Sequence, residues 1–259
     1  MKAIILAAGK GTRLDGAAVK PKCLVEVGGL TLLQRQIDSL RSVNINQIVV
    51  VVGFGADSLR KECDDEVSFV ENARFAETSS LYSLWLAREH LTEGFVVLNS
   101  DVLFHPQLLV DLIESSHDNA LLLSDTSTQP LGDEEMKVKL KDRMVIYISK
   151  AMDPQEADGE NVGIVKFSAA GAKALVGYMN QLIDGGATRD WAPRAFREFA
   201  LHYPLHALST RGLPWIEIDF PEDYRRAVND VYPEIEAALF HDQQSYLLET
   251  SSAVVFNES

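Results

Sequence analysis

The residues with the greatest chemical potential lie near the amino terminus. A short apolar run breaks there into Leu6-Ala7-Ala8-Gly9-Lys10-Gly11-Thr12-Arg13-Leu14, and Lys20-Pro21-Lys22 follows a few positions later. Small residues let backbone N–H groups approach a polyphosphate, and Lys10, Arg13 and Lys22 supply the positive charge that would hold it. The glycines do not form a dinucleotide fingerprint, because Arg13-Leu14 stands where the third glycine of G-x-G-x-x-G is due. No G-x-x-x-x-G-K-[ST] run marks an ATPase loop either. Two aspartates, Asp101 and Asp219, each close an apolar run. Carboxylates at the carboxyl ends of strands in an open α/β sheet face the ligand crevice, where two of them can share one hard divalent cation with phosphate oxygens. Alone, such an aspartate reads as a helix cap; beside a phosphate loop, the metal reading is the stronger one.

The elements that must carry these residues are legible from periodicity. Ala3-Ile4-Ile5-Leu6, Ile48–Val52 and Phe95–Leu98 are unbroken apolar runs, as expected of strands buried on both faces of a parallel sheet. Helical patterns lie between them. Thr31-Leu32-Leu33-Gln34 has the form of a capping box leading into Leu33, Ile37 and Leu40; Leu81, Leu84 and Trp85 open a second helix, and Pro106 suits the first turn of a third. Val138–Leu140 and Val145–Ile148 flank Asp142-Arg143 as an antiparallel excursion, and Val162–Phe167 rejoins the sheet. Helices are expected over 169–183 and 191–199, then a strand over 215–218 and a helix from Pro221. The reading is an α/β protein, a Rossmann-like three-layer sandwich with a mixed, mainly parallel sheet. Residues 1–232 form its domain. For residues 233–259, a helix and an apolar-tipped tail, two readings stay open: packing on a second copy of the chain, or a frayed terminus.

Composition bounds the partners. The chain has 259 residues, 46% of them hydrophobic, and 38 acidic against 24 basic residues give a net charge of −14. A broad landing surface for nucleic acid or an anionic membrane is therefore not expected, and any anionic ligand must find a local basic pocket. Cys23 and Cys63 form no disulfide framework and no metal-ligand spacing, so they read as reduced thiols. The apolar run Ala3–Ala8 is too short for a signal peptide or a membrane span, and a cytoplasmic location is expected. The six histidines make no ligand pattern; His202 and His206 are separated by Pro204.

Leu6-Ala7-Ala8-Gly9-x-Gly11-x-Arg13 with Pro21-Lys22 resembles the signature of the nucleotidyltransferases that make sugar nucleotides and related activated head groups. Three further stretches, Ala76–Leu84, Glu160–Ser168 and Trp215–Asp219 with its Asp-x-Pro-Glu-Asp-Tyr continuation, are similar to the phosphocholine cytidylyltransferase branch. The similarity runs in the same order from about Met1 to Val228. Ser79-Ser80 stands where that branch often has Asn-Asn, and 15–19 lacks the family's common Pro-Leu-Thr. The resemblance implies the nucleotide-diphospho-sugar transferase fold and a magnesium-dependent transfer of CMP from CTP, the preferred NTP, to a small phosphorylated alcohol or phosphonate, with release of pyrophosphate.

Carried over residue by residue, Arg13 and Lys22 are implied on the phosphates, Leu6, Ala7, Ala8, Gly9, Lys10, Gly11, Thr12, Ser79 and Ser80 around the nucleotide, and Asp101 and Asp219 on the metal. Glu160 and Lys166 stand where family members contact the acceptor or metal, and Lys166 joins the catalytic set. Tyr82, Trp85, Trp191, Trp215 and Tyr224 are candidates for an aromatic cage around a quaternary ammonium, with Asp190 as its neutralising charge. The rival for Tyr82 and Trp85 is the core of an amphipathic helix, and for Asp190 a helix cap. The rival activities are a sugar-1-phosphate nucleotidyltransferase using UTP, dTTP or GTP, and a non-catalytic nucleotide-binding regulatory subunit; the intact set Arg13, Lys22, Asp101 and Asp219 disfavours the latter.

Overall fold

Strand β1 (Lys2–Ala7) sends its side chains alternately to two different cores, which requires helices on both faces of its sheet. The computed structural model describes residues 1–11, 20–125 and 131–240. After β1 come β2 (Glu26–Val27), β3 (Leu30–Thr31), α1 (Leu32–Ser42), β4 (Ile48–Val52), α2 (Ala56–Glu62), β5 (Ser68–Glu71) and α3 (Ser80–Leu86). The middle of the chain holds β6 (Phe95–Asn99), β7 (Val102–Phe104), α4 (Pro106–Glu114), β8 (Ala120–Asp125), β9 (Lys137–Lys141) and β10 (Met144–Ser149). Then follow β11 (Gly159–Phe167), α5 (Ala169–Asp184), α6 (Pro193–Ala200), β12 (His206–Ser209), β13 (Trp215–Glu217) and α7 (Pro221–Arg226).

Nine strands form one sheet in the order β5-β4-β1-β6-β11-β8-β12-β10-β9. Strands β5, β4, β1 and β6 are parallel, as are β8 and β12, while β11 runs against both of its neighbours and β10 against β12 and β9. Ala3, Ile5, Val96 and Leu98 pack with α1, α2 and α4, and Ile4, Phe95, Val97, Val165 and Phe167 with α3, α5 and α6. That is the expected three-layer sandwich. Thr31 and Gln34 form the capping box reciprocally, each backbone N–H donating to the other's side chain at 3.1 Å. Asp142 and Arg143 turn the β9–β10 hairpin with φ of 52° and 61°.

Strand β13 departs from expectation. It pairs antiparallel with β7 in a separate two-stranded ribbon, with Glu217 opposite Val102. A third core, including Leu103, Ile216, Ile218, Val231 and Ile235, underlies that ribbon. Helical structure continues from Pro221 through a π-helical turn at Ala227–Val231 to residue 240, passing without a break through the position where 233–259 begins. The tail beyond 240 lies outside the described residues. Among the described residues no helix is long and apolar enough to cross a membrane.

The α5–α6 face is organised by Phe167, which is fully buried with ring centroids of Phe95, Phe199 and Phe196 at 5.3, 5.2 and 5.4 Å. Phe167→Ala should therefore lower the unfolding free energy by about 3–5 kcal/mol, as a cavity in a packed core does. Denaturant titration checks this; a loss below about 1 kcal/mol would mean the layer closes over the gap.

Candidate active site

The ends of β1 and β6 open into a cavity of about 370 Å³ lined by Leu6, Ala7, Ala8, Gly9, Lys10, Gly11, Lys22, Ser79, Ser80, Asp101, Trp191, Glu217 and Asp219. This is the carboxyl edge of the parallel strands, where ligands of open α/β sheets bind. Gly11 has φ 59°, and a Cβ there would lie 2.7 Å from Lys22 Cβ, so the glycine-rich loop's backbone lies directly against the lysine. A Cβ on Gly53 would meet the carbonyl oxygen of Ala8 at 2.7 Å, and the Phe54 N–H donates to that same oxygen at 3.1 Å. Thr12 and Arg13 lie outside the described residues.

Lys22 leads into a short 3-10 turn, Lys22–Leu24, behind Pro21. Its Nζ sits 2.8 Å from Asp101 Oδ2 and also donates to Asp219 Oδ1. Burial alone would lower its pKa, but the two carboxylates outweigh burial and hold the ammonium above its ordinary value. Asp101 occupies the turn between β6 and β7, and buried Gln36 of α1 brackets that turn by donating to the carbonyls of Asn99 and Val102, each at 2.9 Å. Asp219 arrives on the ribbon rather than at the end of a main-sheet strand. The Ile218 N–H donates to the Asp101 carbonyl at 3.0 Å, and Asp223 accepts from the N–H groups of Asp219 and Phe220 at 3.0 and 2.8 Å.

Glu217 completes the cluster. Asp101, Glu217 and Asp219 each offer a carboxylate oxygen within 4.8 Å of the others, and Asp101 Oδ1 is buried with no hydrogen-bond partner. An anionic, all-oxygen donor set with an orphaned buried oxygen fits a hard divalent cation such as magnesium. Burial, reinforced by Asp101 and Asp219, pushes Glu217 up to about 8. One sequence feature marks Glu217: two residues before Asp219, strand alternation turns both to one side. Beneath them, burial and then Asp101 raise the Cys23 thiol to about 12, so it stays protonated.

The remaining expected residues are distributed unevenly. Trp191 lines the cavity at the ends of β1 and β6 and is 52% exposed, with Lys150 Nζ 5.2 Å from its ring centroid. Lys150, a cation that no sequence motif marks, lines the same cavity. Glu160 and Trp215 line an adjoining cavity of about 390 Å³ that shares Glu217 and Asp219 with the first. Four of the expected residues or groupings sit elsewhere or are engaged with other partners. Lys166 is 4% exposed and donates to Ser115 Oγ at 2.9 Å, Ser115 O at 3.1 Å and Ile113 O at 3.4 Å, which caps the carboxyl end of α4. Because β11 runs antiparallel, its end at Lys166 lies beside Ala120, at the start of β8, on the edge of the sheet opposite the crevice. Tyr82 stacks on Trp85 at 5.5 Å, has the Arg74 guanidinium over its ring at 5.3 Å, and lines neither cavity. Asp190 is already ion-paired with Arg194 at 2.8 Å, in a neighbouring groove. The five-ring cage does not form: Trp85 donates to Asn180 and Tyr224 to the Glu26 carbonyl.

A profile of the MobA-like NTP transferase domain matches residues 3–198. The chain belongs to this family of nucleotidyltransferases. It is 30% identical over 234 residues to the choline-phosphate cytidylyltransferase of Streptococcus pneumoniae, an alignment that covers 87% of this chain and 96% of the relative. The CTP:phosphoglutamine cytidylyltransferase of Campylobacter jejuni is 25% identical over 200 residues, covering 70% of this chain and 79% of that one. A solved CTP:phosphocholine cytidylyltransferase from S. pneumoniae superposes with a TM-score of 0.70 at 25% identity, covering 87% of this chain and 96% of its own. The inositol-1-phosphate CTP transferase of T. maritima shares the fold, with a TM-score of 0.73 at 21% identity over 91% of this chain and 96% of its own.

Burial, with Glu135 nearby, raises Glu160 to about 7 from an ordinary 4.5. Between those values the folded chain keeps a proton that the unfolded chain releases, so this residue's contribution to stability falls as pH rises from about 4.5 to 7 and then levels off. Glu160→Gln should therefore stabilise the metal-free protein at pH 8 by up to about 3 kcal/mol and leave it unchanged near pH 4.5. Denaturant midpoints at both pH values check this; an equal difference at both would place Glu160 in solvent.

Proposed function

We propose that this nucleotidyltransferase moves CMP from CTP to a small phosphorylated alcohol or phosphonate and releases pyrophosphate. The observation that carries the reading is Lys22 held between Asp101 and Asp219 where the phosphate loop meets the sheet's carboxyl edge. The named cytidylyltransferase relatives support CTP as the nucleotide. In the reaction, an oxygen of the acceptor's phosphate or phosphonate attacks the α-phosphorus, the bond to the bridging oxygen breaks, and pyrophosphate leaves without a covalent enzyme intermediate. Lys22 stabilises charge developing on the α-phosphate and the bridging oxygen, and the backbone of residues 8–11, with Arg13, embraces the polyphosphate. Magnesium, when held by Asp101 and Asp219 with Glu217 beside them, would neutralise the α-phosphate and the acceptor oxygen.

The acceptor side favours a cation. Glu134, Glu135 and Glu160 line the adjoining cavity with Trp215, so an ammonium there meets carboxylates and a π face. At Trp191 the ring already has Lys150 over it, which makes the Trp215 side the better seat for an ammonium. A cytoplasmic location fits the free thiols of Cys23 and Cys63.

A pyrophosphate-release assay over CTP, UTP, dTTP and GTP, with choline phosphate, ethanolamine phosphate, aminoethylphosphonate, inositol phosphate and hexose 1-phosphates, tests the assignment. CTP with an amino-alcohol phosphate or aminophosphonate is the expected pair. Turnover of hexose 1-phosphates with UTP or dTTP alone would transfer the chain to the sugar-nucleotide branch.

Asp101→Ala and Asp219→Ala should each stay folded and lose magnesium-dependent turnover, since one carboxylate alone holds the ion poorly. Near-wild-type rates at saturating magnesium would remove that aspartate from the mechanism. Lys22→Ala should lower kcat by ~10²–10³, the scale for one pre-organised contact to a transition state. A change confined to KM would assign Lys22 to ground-state binding instead.

A further inference from the structure

Lys137 opens β9 and is fully buried, 0% exposed. A lysine ammonium has three donors and no acceptor. All three are met by the segment just before it: Nζ donates to the carbonyls of Gly132 at 2.9 Å, Asp133 at 3.2 Å and Glu135 at 3.3 Å. Among the described residues it has no carboxylate ion-pair partner. A buried charge is tolerated only when its hydrogen bonds are satisfied, so here the ammonium and the loop that wraps it require each other. The backbone repeats the constraint, with Lys137 N–H donating to the Glu135 carbonyl at 3.0 Å and Asn161 N–H to the Met136 carbonyl at 2.9 Å.

With its carbonyls turned inward onto Lys137, the 131–136 loop contributes side chains to both cavities. Leu131, Glu134 and Glu135 line the cavity that contains Glu160 and Trp215, and Met136 lines the nucleotide cavity. Lys137 also pairs in register with Glu160 across β9 and β11, and its charge favours the ionised form of that carboxylate.

We infer that Lys137 is a positioning residue that sets acceptor specificity, by holding the 131–136 loop so that its carboxylates face a positively charged acceptor group. The inference rests on the cationic-acceptor reading above. It makes the loop, and not an aromatic cage, the main discriminator of charge.

The test compares choline phosphate with 3,3-dimethylbutyl phosphate, its neutral carbon isostere, by kcat/KM at saturating CTP and magnesium. Wild-type enzyme should prefer the cation. Lys137→Met removes the charge and all three hydrogen bonds while keeping most of the volume; it should reduce that preference by about tenfold or more, the scale on which misplaced binding groups act. The KM for CTP should change less than twofold. Lys137→Gln, which retains a polar end, is the second variant should the first not fold. Hydrogen exchange on either should show faster exchange confined to residues 131–136 and Asn161. A folded variant that keeps the wild-type preference overturns the inference, and so does an equal loss for both acceptors. Wild-type indifference to acceptor charge would overturn the cationic-acceptor reading, and this inference with it.

Discussion

The structure depends on one ammonium group shared by two carboxylates. Lys22 belongs to the segment after the glycine-rich loop, Asp101 to the turn that leaves β6, and Asp219 to a ribbon formed more than a hundred residues later. These charges are largely removed from water, so removing Lys22 would leave two close carboxylates without their cation. Their neighbours are arranged accordingly. Gln36 fixes the carbonyls on either side of Asp101, and Asp223 fixes the backbone at Asp219. For the proposed transfer a site built this way is pre-organised: its carboxylates are already held close, and the lysine would supply the positive charge that a transferring phosphoryl group needs.

The direction of one strand then decides which charges join that centre. Strand β11 carries both Glu160 and Lys166, and because it runs against its neighbours the two emerge at opposite edges of the sheet. Glu160 lines the cavity that holds Trp215, and Lys166 caps α4. The apolar run Val162–Phe167 shows in the sequence that a strand is present, but an apolar run looks the same in either direction, so Lys166 reads as a crevice residue until the topology is known. The same limit applies to β13. Its residues are visible as a strand, while its partner β7, three residues beyond β6, is too short to announce itself.

Local chemistry was legible where it is set by adjacent residues. The Thr31–Gln34 capping box, Pro106 at the start of α4, the Asp142-Arg143 turn and the doubly buried strands β1, β4 and β6 all follow from short-range patterns. The glycine-rich loop and both aspartates stand out in the sequence for a similar reason, since each closes an apolar run. Side-chain partners across the fold were not. The aromatic residues look alike as a set in sequence, yet Trp85 and Tyr224 are taken up by Asn180 and Glu26, and Asp190 by Arg194. Lys137 looks like one of several exposed basic residues of a hairpin, and only the folded chain shows its ammonium enclosed by carbonyls.

The central claim is that Asp101 and Asp219 together hold a divalent cation next to Lys22. Calorimetric titration of manganese, standing in for magnesium, into the protein with CTP present tests it most directly when the wild type is compared with Asp219→Asn, which keeps the shape of the side chain and removes its charge. The account predicts saturable binding to the wild type and affinity at least about tenfold weaker in the variant. Equal manganese affinity in the two proteins would contradict it.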